Sequence, residues 1–310
     1  MGTPDLRRSI IGYLQRRCGS VDLTDDCVLP TMGSKELVAS LPAQLGIGPG
    51  DTVLIPEVAY PTYAVGAQLV GADFVASDST LSVGPRRVPL IWLNSPGNPT
   101  GRVLPVDHLR KVVTWARERG AVVASDECYF ECAWETEPVS VLDPVVNGGS
   151  LDSILAVHSL SKRSNMAGYR AAYVAGDPSM VSALREIRRH TGAMVPGPVQ
   201  AAMRAALDDD GHIEEQRERY LSRRAMLRHA LERARFRIDH SEASLYLWAT
   251  RDEPCMDTVS WLAEYGILVA PGDFYGPAGA RHVRLALTAT DERIEAAAER
   301  IKAAAERLRT

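Results

Sequence analysis

Short apolar runs alternate with longer stretches of helical pattern along most of this chain. The runs at residues 52–55, 73–76, 89–93, 121–124, 154–157 and 171–175 read as strands, many of them flanked by Gly, Pro, Asn or Asp. Residues 37–45, 61–70, 106–119, 178–190 and 198–207 read as helices. The first helix begins almost at once. Thr3 is a capping residue, Pro4 suits the first helical position, Ile10, Ile11 and Leu14 make an apolar face, and Gly19 ends it. Pro42 is expected to bend or end the helix that contains it. Strand, helix and strand in this order build a mainly parallel sheet, so the fold class is α/β.

The texture changes after residue 210. A charged amphipathic stretch at 212–234 opens a region richer in Arg, Glu and Ala. Short strands at 235–238, 245–248, 267–269 and 283–287 then alternate with helices at 256–265 and 291–308. We read 1–210 as a large domain and 211–310 as a smaller C-terminal α+β domain.

Composition narrows the partners. A chain of 310 residues, 45% hydrophobic and 24% charged, is long enough for a proper core and ordinary for a globular protein. A net charge of -4 gives no reason to expect nucleic acid or an anionic membrane surface as partner. No apolar run approaches a membrane span, and Met1-Gly2-Thr3-Pro4-Asp5 has no signal-peptide character. The five cysteines are scattered, and Cys128 and Cys132 have the wrong spacing for a zinc or redox pair. Free thiols in a reducing cytoplasm, and no metal, are the expectation.

The most telling stretch is Ser159-Leu160-Ser161-Lys162, followed by Gly168-Tyr169-Arg170. A lysine ending a strand inside a cleft can lose its proton and form a Schiff base. Two serines offer hydroxyls to an oxyanion, and Arg170 offers a planar fork that grips a phosphate at two points. Together they suit a phosphorylated aldehyde cofactor, with pyridoxal 5′-phosphate the obvious candidate. A solvated surface lysine is the plain alternative.

Other positions carry the same double reading. Ser34 and Lys35 open a helix, where free N–H groups and a hydroxyl make either an anion site or an ordinary cap. Gly46-Ile47-Gly48-Pro49-Gly50 lies between a helix and a strand, the wrong order for a dinucleotide fingerprint, and reads as a turn. Tyr60, in a loop after a strand, could stack on a heteroaromatic ring or pack under the loop. Asn98 is held between Gly97 and Pro99 in a rigid loop, well placed to donate an amide hydrogen bond. Asp126 stands where a strand delivers a carboxylate into a cleft, with Tyr129 on the turn after it. Arg284 sits in an apolar strand and needs an anionic partner, either a nearby acid or a ligand.

As a set, Asn98-Pro99-Thr100-Gly101, Asp126-x-x-Tyr129, Ser159-x-Ser161-Lys162 and Gly168-x-Arg170 resemble the fold-type I aminotransferases of class I/II. With Gly33–Glu36, Tyr60–Tyr63 and Pro271–Gly276 included, the wording is most similar to actinobacterial succinyldiaminopimelate aminotransferases, which serve lysine synthesis with glutamate as donor. The resemblance implies that Lys162 holds pyridoxal phosphate as an internal aldimine and moves the proton between Cα and C4′. Asp126 pairs with the pyridine nitrogen, Tyr129 and Asn98 bond the ring oxygen, and Tyr60 stacks. Ser34, the Lys35 backbone, Ser159, Ser161 and Arg170 hold the phosphate, and Arg284 takes the substrate α-carboxylate. It further implies a cytoplasmic homodimer acting on an amino acid and a 2-oxo acid.

Members of that family carry a further segment before the helix that begins here at Thr3, including an arm that reaches the partner subunit. The expectation is therefore a start set at an internal methionine, or a shortened chain. Competing readings are an aspartate- or alanine-type class I aminotransferase, a pyridoxal phosphate β-lyase, and a truncated non-catalytic protein of the same fold. No second arginine can be assigned to a distal carboxylate, and Arg163 is the candidate within this sequence.

Overall fold

The computed structural model describes residues 1–19 and 23–307. Leu308, the expected end of the last helix, lies outside them. Seven strands, β1 (Val28–Thr31), β2 (Thr52–Ile55), β3 (Asp73–Ala76), β4 (Leu90–Asn94), β5 (Val122–Asp126), β6 (Ile154–Ser159) and β7 (Ala172–Gly176), form one sheet in the order β1-β7-β6-β5-β4-β2-β3. Pairs among β3, β2, β4, β5 and β6 are parallel, and β7 runs antiparallel to both β6 and β1. The two reversals cancel, so β1 points the same way as β6.

Alternation along the strands feeds two cores. On β4, Leu90 and Trp92 pack on one face with Leu37, Leu41 and Val53, while Ile91 and Leu93 face the other with Leu6, Ile10 and Leu14. The central strands are buried on both faces, as the crossover helices of a parallel sheet require. The first helix, Pro4–Cys18, starts with Thr3 accepting from the Leu6 amide and stops at Gly19, whose φ is 62°.

A second, antiparallel sheet has the order β10-β11-β9-β8, from β8 (Arg237–Ile238), β9 (Tyr246–Thr250), β10 (Ala270–Pro271) and β11 (Val283–Ala286). Its inward residues Leu247, Ala249, Val283 and Leu285 pack with Ile294, Ala298 and Ile301 of the helix Asp291–Arg307 and with Leu227 and Leu231 of the helix Gly211–Arg233.

One strand was missed and another is shifted. β1 was not predicted, because Val-Leu-Pro-Thr is short and carries a proline; as an edge strand it tolerates Pro30, which has no N–H to give. The strand expected at 267–269 forms three residues later, where Ala270 and Pro271 meet Arg284 and Val283. Pro42, expected to bend or end its helix, falls in the last turn of Ser34–Gln44. There its carbonyl accepts from the Ile47 amide as the chain turns away.

Candidate active site

The parallel strands set the stage. Asn94 and Asp126 are register partners at the C-terminal ends of β4 and β5, and β6 ends beside them at Ser159. Because β1 runs in the same sense, its exit through Gly33 brings Ser34 and Lys35 to the same edge. Ligands in open α/β sheets bind at this edge. Apart from Arg163, the sequence-derived candidates meet there, lining one cavity: Ser34, Lys35, Tyr60, Asn98, Asp126, Tyr129, Ser159, Ser161, Lys162, Arg170 and Arg284. Arg284 arrives from the other sheet.

On one wall, Gly33 has φ 85° and ψ 154°, and a Cβ there would run into the Arg170 guanidinium. Arg170 is itself held left-handed, with φ 53°, and its Nη1 donates to the Ala167 carbonyl at 2.8 Å. Ser159 caps the short turn Leu160–Arg163 by accepting from the Ser161 amide at 3.2 Å. Lys162 Nζ lies 5.9 Å from the centre of the Tyr129 ring.

The floor is Asp126. It is 8% exposed and accepts from the Tyr63 hydroxyl at 2.8 Å and the Cys128 amide at 3.2 Å. Burial pushes its carboxyl above the ordinary carboxylate range, and the hydrogen bonds from Cys128 and Tyr63 restrain the rise. Tyr63 packs on Trp92 with ring centres 5.1 Å apart, and Tyr60 meets it edge-on at 6.2 Å. Lys35 Nζ stands 5.3 Å from the centre of the Tyr60 ring.

The remaining side is built from amides and tyrosines. Asn94 Nδ2 donates to the Asp126 carbonyl at 3.0 Å, and its Oδ1 accepts from the Asn98 amide at 2.8 Å. Arg284 Nη1 donates to Asn98 Oδ1 at 2.8 Å, which leaves the Asn98 NH₂ for another acceptor. The Arg284 guanidinium lies 4.0 Å from the centre of the Tyr246 ring and 5.2 Å from that of Tyr275. The Tyr246 and Tyr129 hydroxyls are hydrogen-bonded at 2.8 Å.

Four cationic side chains and one carboxylate line this cavity. Among the described residues, none of Lys35, Lys162, Arg170 and Arg284 has a carboxylate within 4.0 Å. Arg163 is a different case. It points away from the cavity, buried, with Nη2 2.7 Å from Asp210 Oδ1 and its guanidinium 4.8 Å from the Tyr13 ring centre. It is not available to a distal carboxylate.

Sequence reasoning missed Tyr63, Asn94 and Tyr246, which also line the cavity. Tyr63 follows Tyr60 by one helical turn, and Asn94 ends a buried apolar run, so both left a faint signal. Tyr246 left none, since it is one more aromatic residue in an apolar strand.

The family model for aminotransferase class I and II matches residues 1–301. This chain belongs to the class I and II aminotransferases. A probable aminotransferase of Mycobacterium tuberculosis, Rv1178, is 60% identical over 96% of this chain and 71% of its own length. The 4-dedimethylamino-4-oxo-anhydrotetracycline transaminase OxyQ of Streptomyces rimosus is 58% identical over 96% of this chain and 82% of its own. Among solved structures, an aminotransferase from Staphylococcus aureus superposes with a TM-score of 0.88 at 27% identity, covering 98% of this chain and 84% of that one. A probable N-succinyldiaminopimelate aminotransferase from Thermus thermophilus gives a TM-score of 0.86 at 26% identity, covering 97% and 84%. The family depends on pyridoxal phosphate, and the protein is an aminotransferase acting on amino-acid and keto-acid substrates. Among the described residues no helix is long and apolar enough to cross a membrane.

Proposed function

We propose that this cavity transfers an amino group from glutamate to a keto acid, with N-succinyldiaminopimelate chemistry in lysine synthesis as the first acceptor system to test. The observation that carries the reading is Arg284: a part-buried guanidinium with no acid partner, fixed by Asn98 and facing the same cavity as Lys162. A charge left this way calls for an anionic ligand.

The residues fit the cofactor. An amine without an acid partner, a free guanidinium where a Cβ at Gly33 would clash, and a buried carboxylate opposite supply its three anchoring needs. Bound there, pyridoxal phosphate supplies an electron sink for the carbanion formed at the substrate Cα. Lys162 Nζ is the amine for its aldehyde carbon and, once free, carries the proton removed from Cα. Asp126 holds a proton on the ring nitrogen, and its raised pKa is countered by that cation. Arg170, Ser34, Ser159, Ser161 and the Lys35 backbone bind the phosphate, with charge supplied by Arg170. Tyr129 and the Asn98 NH₂ donate to the ring oxygen, and Tyr60 covers one face of the ring. Arg284 takes the α-carboxylate at two points and so orients the Cα–H bond.

The division into 1–210 and 211–310, a homodimer and a cytoplasmic setting belong to this proposal. LL-diaminopimelate aminotransferase of Dehalococcoides mccartyi, 34% identical over 95% of this chain, supports the diaminopimelate acceptor. A second reading, a bulkier cyclic ketone as acceptor, is favoured by the 58% identity to OxyQ.

Glutamate alone decides the reaction class. The cofactor's visible absorbance is expected to convert to that of its pyridoxamine form with release of one 2-oxoglutarate, and Lys162→Ala abolishes both. Ammonia and a keto acid released without any acceptor from an amino acid carrying a β leaving group, such as cysteine, would instead mark a lyase. Rates with a succinylated keto acid against a panel of cyclic ketones then separate the two acceptor readings.

A further inference from the structure

The Tyr246 side chain touches two machines at once. Its ring lies 4.0 Å beneath the Arg284 guanidinium, and its hydroxyl is 2.8 Å from that of Tyr129. Strand β9 fixes it there: Tyr246 pairs with Ala286 in register, two residues from Arg284 on β11, and is 7% exposed. The two tyrosine rings meet edge-on, with centres 5.6 Å apart.

We propose that Tyr246 is a positioning residue for two sites at once: its ring orients Arg284 for the substrate carboxylate, and its hydroxyl strengthens the hydrogen bond of Tyr129 to the cofactor's ring oxygen. This rests on the roles proposed above for Arg284 and Tyr129. The hydroxyl half of the argument is one of donors. A tyrosine has one proton to give. When Tyr246 donates to the Tyr129 oxygen, the Tyr129 proton is left to point into the cavity, and accepting one bond strengthens the one it donates. The ring half is electrostatic. A guanidinium over the face of an aromatic ring is held flat, and with Asn98 fixing one nitrogen the outer edge of Arg284 is left presented to a carboxylate. Tyr275, 5.2 Å from the guanidinium carbon, adds a second ring contact.

Two substitutions split these halves on the loaded enzyme. Tyr246→Phe keeps the ring and removes the hydroxyl. The pH midpoint of the bound cofactor's absorbance should move up by about half a unit, the loss of part of one hydrogen bond, with the Kd for glutarate unchanged. Tyr246→Leu removes the ring as well, and glutarate binding should weaken about threefold to tenfold, the range of one cation–π contact. In a Tyr129→Phe background, Tyr246→Phe should produce no further midpoint shift, since the relay then has no end.

A Tyr246→Phe midpoint equal to that of the parent protein, or an equal shift with and without Tyr129, overturns the relay. Glutarate binding as tight in Tyr246→Leu as in the parent overturns the clamp. A parent protein without any pH-dependent visible band would instead overturn the cofactor roles, and this inference with them.

Discussion

Asp126→Asn separates what a buried carboxylate does to the empty fold from what it does to the loaded site. Asp126 accepts from the Tyr63 hydroxyl and the Cys128 amide, one at each oxygen. Asparagine can keep both neighbours satisfied: its oxygen turns to Cys128, its NH₂ to Tyr63, and the tyrosine hydroxyl rotates to accept. The variant is therefore expected to fold. Burial raises the Asp126 pKa, so the folded chain binds that proton more readily than the unfolded one. A carboxyl raised in this sense contributes stability in full below its unfolded value of about 3.9. That contribution is lost as pH rises through the folded value. Cofactor-free parent protein should then lose stability relative to Asp126→Asn from about pH 4 towards neutrality, where the variant is the more stable of the two.

Loading the site reverses the order. A cationic ring nitrogen opposite Asp126 makes a buried pair, and breaking such a pair costs about 3–5 kcal/mol. If that cost falls on the transition state, it amounts to roughly two to four decades in kcat/KM. Denaturant melts of both cofactor-free proteins across this pH range, with half-reaction rates for glutamate, test the two halves together. A stability difference that is flat or of opposite sign with pH would refute the desolvation argument. A variant within about tenfold of the parent rate would refute the ring-nitrogen pairing.

Other substitutions address single contacts. Gly33→Ala places a Cβ against Arg170 in a conformation that disfavours side chains, and about 1–3 kcal/mol of strain should appear as weaker cofactor binding by fluorescence titration. Arg284→Lys keeps the charge but loses the fork, so KM for glutamate should rise about tenfold or more while the cofactor absorbance is unchanged. Arg188, 0% exposed, donates to both oxygens of Glu36 at 3.1 and 2.5 Å in the first turn of the helix behind Ser34. Arg188→Met should lower stability by about 3 kcal/mol in a thermal or denaturant melt, because the part-buried Glu36 carboxylate is left with only the neutral Ser40 hydroxyl.

Much of this site was legible because its groups sit in short sequence motifs at strand ends. Ser159, Ser161, Lys162 and Arg170 occupy one loop, and Asp126 and Tyr129 one turn, so their proximity needs no knowledge of the sheet. The apolar runs were legible for the same local reason, since β2, β3, β4 and β5 are bounded by turn residues. What escaped depends on register between distant segments. Tyr246 matters because β9 pairs with β11 and also faces Tyr129, 117 residues away. Strand β1 exists only because β7 offers it an edge, and its own four residues argue weakly for a strand. Arg163, beside Lys162 in sequence, seemed equally available to a ligand. The short turn at Leu160–Arg163 sends it to the opposite side, where Asp210 waits.

That contrast is the physical signature of the site. Buried arginines elsewhere in the described residues come with an acid: Arg163 with Asp210, Arg188 with Glu36, Arg224 with Glu135. Leaving a guanidinium out of water without such a partner is expensive, and folded proteins avoid it unless something outside the chain completes the pair. Arg284 breaks the pattern. Among the described residues its Nε is buried without a partner and its only hydrogen bond goes to the neutral amide of Asn98. Arg170 hydrogen-bonds only a carbonyl but is exposed, so burial argues nothing about it. Each lies in the cavity that also holds Lys162, while the lone acid there, Asp126, is occupied by Tyr63 and the Cys128 amide rather than by any of the cations. The anion missing at Arg284 is therefore to be brought by a ligand, and Arg170, open to water in the same cavity, leaves its guanidinium free for a second anionic group.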